Sequence, residues 1–166
     1  MIKKITLPFT DEAIQELKPG QWLSLTGKIF TARDQAHLRL FTALQNQETV
    51  ALLKEKNPVL YYCGPTPKRP GQAIGACGPT TSSRMDAYTP FLVEKGFKIS
   101  IGKGQRSAEV QNAIKKHHGL YLMAIGGAGA YYQDKVKKCT LLYYPELLSE
   151  AIYELEVEDF LVYVAY

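Results

Sequence analysis

Apolar positions alternate with polar ones from Met1 to Leu7, where Ile2, Ile5 and Leu7 stand among lysines and a threonine, and the spacing predicts a strand. The segment TDEAIQEL follows, with Thr10 or Asp11 placed to cap a short helix and acidic residues in its first turn. Lys18-Pro19-Gly20 ends it. Trp22, Leu23, Leu25, Ile29 and Phe30 alternate in part between Gln21 and Phe30, which predicts a strand or a hairpin broken at Gly27. Ala36, Leu40, Ala43 and Leu44 recur at helical spacing and predict a helix over Ala32–Gln45, with Asp34 in its first turn.

PVLYYC, residues 58–63, reads as a short buried strand. A turn-rich stretch follows, GPTPKRPGQAIGACGPTTSSRMD, holding four of the nine prolines. A stretch this long and varied is a binding loop rather than a linker. Beyond it the pattern predicts a helix over Met85–Lys95 ending at Gly96, a strand over Lys98–Ile101, a helix over Ser107–His117 and a strand over Gly119–Ile125. After the turn GGAGA come a strand from Cys139 to Tyr144, a short helix from Pro145 and a last strand at Phe160–Ala165. That last apolar run stops at Tyr166, so the strand reads as cut short. Strand, loop and helix alternate through the second half, which predicts an α/β fold with a largely parallel central sheet. With 166 residues and no internal repeat, the chain fits one domain over 1–166.

Composition narrows the function classes. Hydrophobic residues make up 46% and charged residues 22%, as in an ordinary soluble globular domain. No apolar run approaches the roughly 20 residues of a membrane span, and the N-terminus lacks the apolar stretch of a signal peptide. The expectation is a cytoplasmic protein with no membrane association. A net charge of +4 suits a small anionic substrate, and no motif supports nucleic acid. Cys63, Cys77 and Cys139 are odd in number and show no CxxC spacing, so neither a disulfide framework nor a metal site is expected from this chain alone.

Four loops lie between an expected strand and an expected helix, where α/β proteins gather their ligands. Thr31-Ala32-Arg33-Asp34 offers an arginine able to fork onto a carboxylate. Gly78 to Asp86 sets Thr80, Thr81, Ser82 and Ser83 before Arg84 at what reads as the mouth of a helix, a ready anion site. Ile101-Gly102-Lys103-Gly104 sets a lysine between two glycines that let backbone approach a ligand. Gly126 to Ala130 departs from the dinucleotide fingerprint and reads as close backbone packing. His37 lies near Arg33 and is expected to face the site, whereas His117 and His118 sit at a helix end and read as structural. Two arginines, a lysine and a hydroxyl cluster make a clamp for two carboxylates, but nothing beside them activates a leaving hydroxyl. That gap points to a second chain carrying a metal or cluster.

TARDQAH, GPTTSSRMD, IGKG and GGAGA, in this order, resemble the β-subunit or C-terminal domain of the iron–sulfur-dependent class I fumarases and L-tartrate dehydratases. The resemblance runs over essentially the whole chain. It implies a swivelling β/β/α-type domain and a partner α-subunit that holds a [4Fe-4S] cluster, in an α2β2 assembly. Carried over by motif, it gives Arg33, Arg84 and Lys103 carboxylate binding, Thr80 the role of catalytic base and Thr81 that of its helper. Where the family has GPVxP before the hydroxyl motif, this chain has Cys63-Gly64-Pro65-Thr66-Pro67-Lys68-Arg69-Pro70, a difference read as altered contacts to the partner. The motifs leave fumarate and tartrate both open, fumarate/malate being the commoner chemistry. The rival from another class is a non-enzymatic domain that binds a dicarboxylate.

Overall fold

A computed structural model describes all residues, 1–166. All seven strands join one sheet: β1 (Ile2–Thr6), β2 (Trp22–Thr31), β3 (Val59–Tyr61), β4 (Ile99–Gly102), β5 (Leu120–Met123), β6 (Val136–Tyr143) and β7 (Ile152–Val164). Neighbours run in the order β1-β2-β3-β4-β5-β7-β6, and β7 also pairs with β2, so β2, β3, β4, β5 and β7 close into a five-stranded barrel. The sheet is therefore mixed rather than largely parallel. The four pairings from β1 to β5 are parallel, while β7 runs antiparallel to β2, β5 and β6.

β7 is the element that changes the architecture. The apolar run predicts a strand from Phe160, but the strand runs for 13 residues from Ile152. Leu155 and Val157 point inward between Glu154, Glu156 and Glu158, the period-2 alternation of a half-buried strand. β2 is likewise one strand and not a hairpin. Gly27 marks an irregularity in its register against β7, with φ of +135°, and a Cβ there would lie 2.7 Å from the Leu7 Cβ.

The barrel is filled. Leu23, Leu25, Ile29, Tyr61, Ile101 and Leu155 belong to a cluster of 25 buried residues that also takes in α1 (Asp11–Glu16) through Ile14. Thr10 caps α1, its hydroxyl accepting from the Ala13 amide at 3.0 Å. Residues on the alternate face of the strands, Phe30, Leu60 and Tyr62, pack outward against α2 (Asp34–Gln45) and α3 (Thr89–Lys95). α4 (Ala108–Lys116), capped by Ser107, buries Val110 and Ile114 against Tyr121, and α5 (Gly129–Lys135) leads into β6. Tyr166 pairs with Tyr121 through backbone hydrogen bonds and stacks its ring on it at 5.4 Å.

The expected helix over Met85–Lys95 divides in two. Ser82–Met85 is a single 3-10 turn, and the α-helix begins only at Thr89, with Pro90 at its N-terminus.

Candidate functional site

The parallel strands set four loops side by side. Thr31, Tyr61, Ile101 and Leu122 are register partners in sequence across β2, β3, β4 and β5. β2 and β3 end at that row and β4 and β5 one residue beyond it, and the loops holding Arg33, Thr80–Arg84, Lys103 and Gly126 grow from these carboxyl ends.

The loops are tied to one another. The Thr80 amide donates to the Tyr62 carbonyl at 2.7 Å, and the Ser82 amide donates to the Lys103 carbonyl at 2.9 Å. Thr81 and Lys103 form a parallel bridge beyond the sheet. A Cβ on Gly126 would lie 3.4 Å from the Lys103 Cδ, so this glycine loop backs the lysine stem. Gly78 and Gly129 meet backbone to backbone, and the Cys77 amide donates to the Gly129 carbonyl at 3.3 Å. The close packing expected of the glycine-rich turn is what the structure has. Gly64 lets the Arg33 side chain cross the neighbouring loop, since a Cβ there would lie 2.7 Å from Arg33 Cδ.

The cations differ in their surroundings. Arg84 reaches Asp34 Oδ2 with both Nε, at 3.0 Å, and Nη2, at 2.9 Å. Arg33 Nε is 3.7 Å from the other oxygen of Asp34 and 3.9 Å from Glu150, and neither Arg33 Nε nor Asp34 Oδ1 has a hydrogen-bond partner. Asp34 thus sits between two arginines, each with donor capacity left over. Lys103 is half-buried and has no acidic partner. Thr80 is half-buried and Thr81 exposed.

Two expectations need correction. The four hydroxyls do not line a helix mouth, because Ser82 is fully buried within the 3-10 turn. Its hydroxyl contacts Tyr121 Oη at 2.8 Å, and Tyr121 also contacts the Gly104 carbonyl at 2.7 Å. A carbonyl only accepts, so Tyr121 donates to Gly104 and Ser82 donates to Tyr121. His37 does not face the site either. It is buried, its ring lies edge-on to Tyr62, and Nδ1 donates to the Arg33 carbonyl at 2.8 Å. Burial pushes its pKa down to about 4, so it braces the Arg33 turn as a neutral ring.

The Arg33-Asp34 dipeptide itself suggests an arginine–carboxylate pair, but nothing in the sequence signals that Asp34 also holds Arg84, or that Arg106 lies buried beneath the loops. The cysteines do not fit a cluster site: no group of His, Cys, Asp or Glu is arranged to hold a metal. Contact with Cys77 and burial push the Cys63 thiol well above the usual thiol range. A cleft of about 520 Å³ lies elsewhere, at the amino end of β3 among Gly27, Lys28, Lys56 and Glu156, and contains none of the four loops.

The sequence profile of the family described as Fumarase C-terminus matches residues 2–166. Fumarate hydratase 2 of Leishmania major is 38% identical over 155 residues, which is 92% of this chain and 27% of that protein. The aerobic class I fumarate hydratase of Escherichia coli K12 is 42% identical over 144 residues, 86% of this chain and 26% of its own length. The chain therefore spans about a quarter of the fumarate hydratases it resembles. A protein of Methanocaldococcus jannaschii, provisionally named L(+)-tartrate dehydratase subunit beta, is 33% identical over 156 residues, and there the match covers 80% of its length. This chain belongs to the family of the fumarase C-terminal domain, which class I fumarate hydratases share with the tartrate dehydratase β subunit.

Proposed function

We propose that this chain is the β-type half of a hydro-lyase that interconverts fumarate and L-malate, working with a cluster-bearing α-subunit. The observation that carries the reading is the bridge from Ser82 to Lys103, because it holds the Thr80–Arg84 segment against the lysine at the carboxyl end of the barrel. In this reading Arg33, Arg84 and Lys103 bind the two carboxylates of the substrate, the arginines by paired N–H groups and the lysine as a point charge. Thr80 takes the proton from the carbon next to the departing hydroxyl in the dehydration direction and returns it during hydration, with Thr81 assisting. A threonine hydroxyl is a weak base, so its deprotonated form needs the positive charge of Lys103 and Arg84 nearby.

The donor set of this chain does not fit an iron–sulfur cluster, so the [4Fe-4S] group is assigned to the α-subunit. The match to a protein named as a β subunit supports a two-chain arrangement, for which we propose α2β2. The same match keeps tartrate dehydration as the second reading of the substrate. No helix is long and apolar enough to cross a membrane. The three free cysteines suit a reducing compartment, and we place the protein in the cytoplasm. The domain swivels as a unit over the α-subunit in this scheme.

The test is anaerobic co-production with the candidate α-subunit, followed by the ultraviolet absorbance of fumarate formed from L-malate. Turnover by the pair and by neither chain alone is the expected result. Turnover of L-tartrate but not malate moves the substrate. No turnover of either, with cluster and complex intact, overturns the enzymatic reading in favour of a dicarboxylate-binding domain. Arg84→Ala and Lys103→Ala are expected to abolish turnover without dissociating the pair, and full activity in either removes that residue from the clamp.

A further inference from the structure

Beneath the loops lies an arginine that touches none of the exposed site groups. Arg106 follows the Lys103 turn, is 4% exposed, and its side chain donates to four residues. Nε reaches Asp86 Oδ1 at 2.7 Å and Nη2 reaches the Thr89 hydroxyl at 2.7 Å. Nη1 reaches the Tyr62 hydroxyl at 3.2 Å and the Ser100 hydroxyl at 3.4 Å. Its guanidinium carbon lies 5.1 Å from the Tyr62 ring centre and 4.9 Å from that of Tyr121.

Each of these partners leads to a different part of the site. Asp86 closes the segment that begins at Thr80, and its second oxygen accepts from the Ser107 amide at 2.8 Å, tying that segment to the start of α4. Thr89 donates to the Met85 carbonyl at 2.8 Å, at the end of the 3-10 turn that holds Arg84. Tyr62 supplies the carbonyl that receives the Thr80 amide. Tyr121 holds Ser82 on one side and Gly104 on the other. Gly102 has no side chain because Ser82 and Tyr62 occupy the place of its Cβ. The two loops therefore press together over one guanidinium.

We propose that Arg106 is the positioning residue of the site, its buried guanidinium fixing the Thr80–Arg84 segment against the Gly102–Gly104 turn so that both address one dicarboxylate. The role in turnover rests on the hydro-lyase reading, while the holding of the loops does not. Charge alone does not perform this task. A planar fork donates in several fixed directions at once and lies flat between two rings, whereas a lysine ammonium is a compact point charge with three donors on a flexible stem and no plane to stack.

Arg106→Gln, Arg106→Lys and Tyr121→Phe, each assembled with the α-subunit, test the proposal through hydrogen exchange and through kcat and KM. Tyr121→Phe removes one hydroxyl and guards against a misfolded arginine variant. Faster exchange is expected in the segments 80–84 and 102–104 in all three, with β2 and β7 unchanged. Misplacement of about 1 Å costs on the order of 100-fold in rate, so kcat is expected to fall by about that factor in both arginine variants and by less in Tyr121→Phe. Wild-type exchange in the two loops overturns the proposal, as does wild-type kcat and KM in Arg106→Lys, whatever happens to Tm. If the wild-type pair turns over no substrate, the hydro-lyase reading fails on its own, and the exchange result still decides for or against Arg106.

Discussion

Asp34 divides its two oxygens between Arg33 and Arg84, so in the proposed reading an incoming carboxylate meets arginines already facing an internal anion. Its own binding is then the replacement of one carboxylate by another. Asp34→Asn removes the competitor's charge and is expected to raise affinity for small anions in general while narrowing the preference for dicarboxylates. Titration with malate, acetate and sulfate by calorimetry checks this, and an unchanged ranking of the three anions counts against it. Thr80→Val keeps the shape but removes the hydroxyl. A general base contributes about 100- to 10,000-fold, and a loss in that range is expected in kcat, with complex assembly intact by size-exclusion chromatography. His37 gives the chain a pH signature. Burial lowers its pKa to about 4 from 6.5, so the unfolded chain takes up a proton first as pH falls. Stability is complete above pH about 6.5 and declines toward 4, by roughly 3 kcal/mol at about 1.4 kcal/mol per unit. Urea midpoints across that range are expected to fall in the wild type and to lose this component in His37→Phe. That Arg33, Thr80, Arg84 and Lys103 gather at one end of the sheet is legible, because each sits in a short motif after a strand. The place of Arg106 is not, because its partners at positions 62, 86, 89 and 100 meet only through the fold.

Most elements announced themselves through their punctuation. Thr10 and Ser107 cap α1 and α4 with the hydroxyl contacts their residue types favour, and Gly96 ends α3 at φ +121°. Ser107→Ala is expected to cost about 1 kcal/mol, readable as a lower thermal midpoint with the barrel intact. Other elements escaped: α5 begins inside the GGAGA turn, whose glycines read as loop and hide a helix. The start of α3 was set too early because Arg84, Met85 and Asp86 look helical, while the turn there is held by contacts remote in sequence. The first half of β7 was passed over although Glu154 to Glu158 alternate with Leu155 and Val157, because so acidic a stretch reads as surface. Gly102 is where element and site meet. Gly102→Ala forces its new methyl into Ser82, and overpacking of this kind costs about 1–3 kcal/mol. A loss of kcat beyond that of Ser107→Ala at matched stability is expected, since only the first disturbs the loop bearing Thr80.

The α/β class was legible in the alternation of strand and helix through the second half. Closure of the barrel was not, because it depends on a final strand that runs antiparallel and pairs with β2 more than 120 residues earlier. Local pattern carries no information about such a partner. The amides that exchange slowest are expected in β2 and β7, where the ring closes, and those of the loop at 64–76 fastest. The site end also carries apolar residues, Ile125 at 42% exposure and Leu148 at 75%, around a polar clamp. A closed ring filled with side chains has no internal hinge between its strands, and backbone hydrogen bonds tie the Thr80–Arg84 segment to Lys103 above it. In mechanical terms the proposed two-chain scheme makes the domain a stamp and not a hand, pressed as one piece against the opposite face. In that scheme friction of the whole body sets the pace of closure, and where closure limits turnover, kcat is expected to follow solvent viscosity.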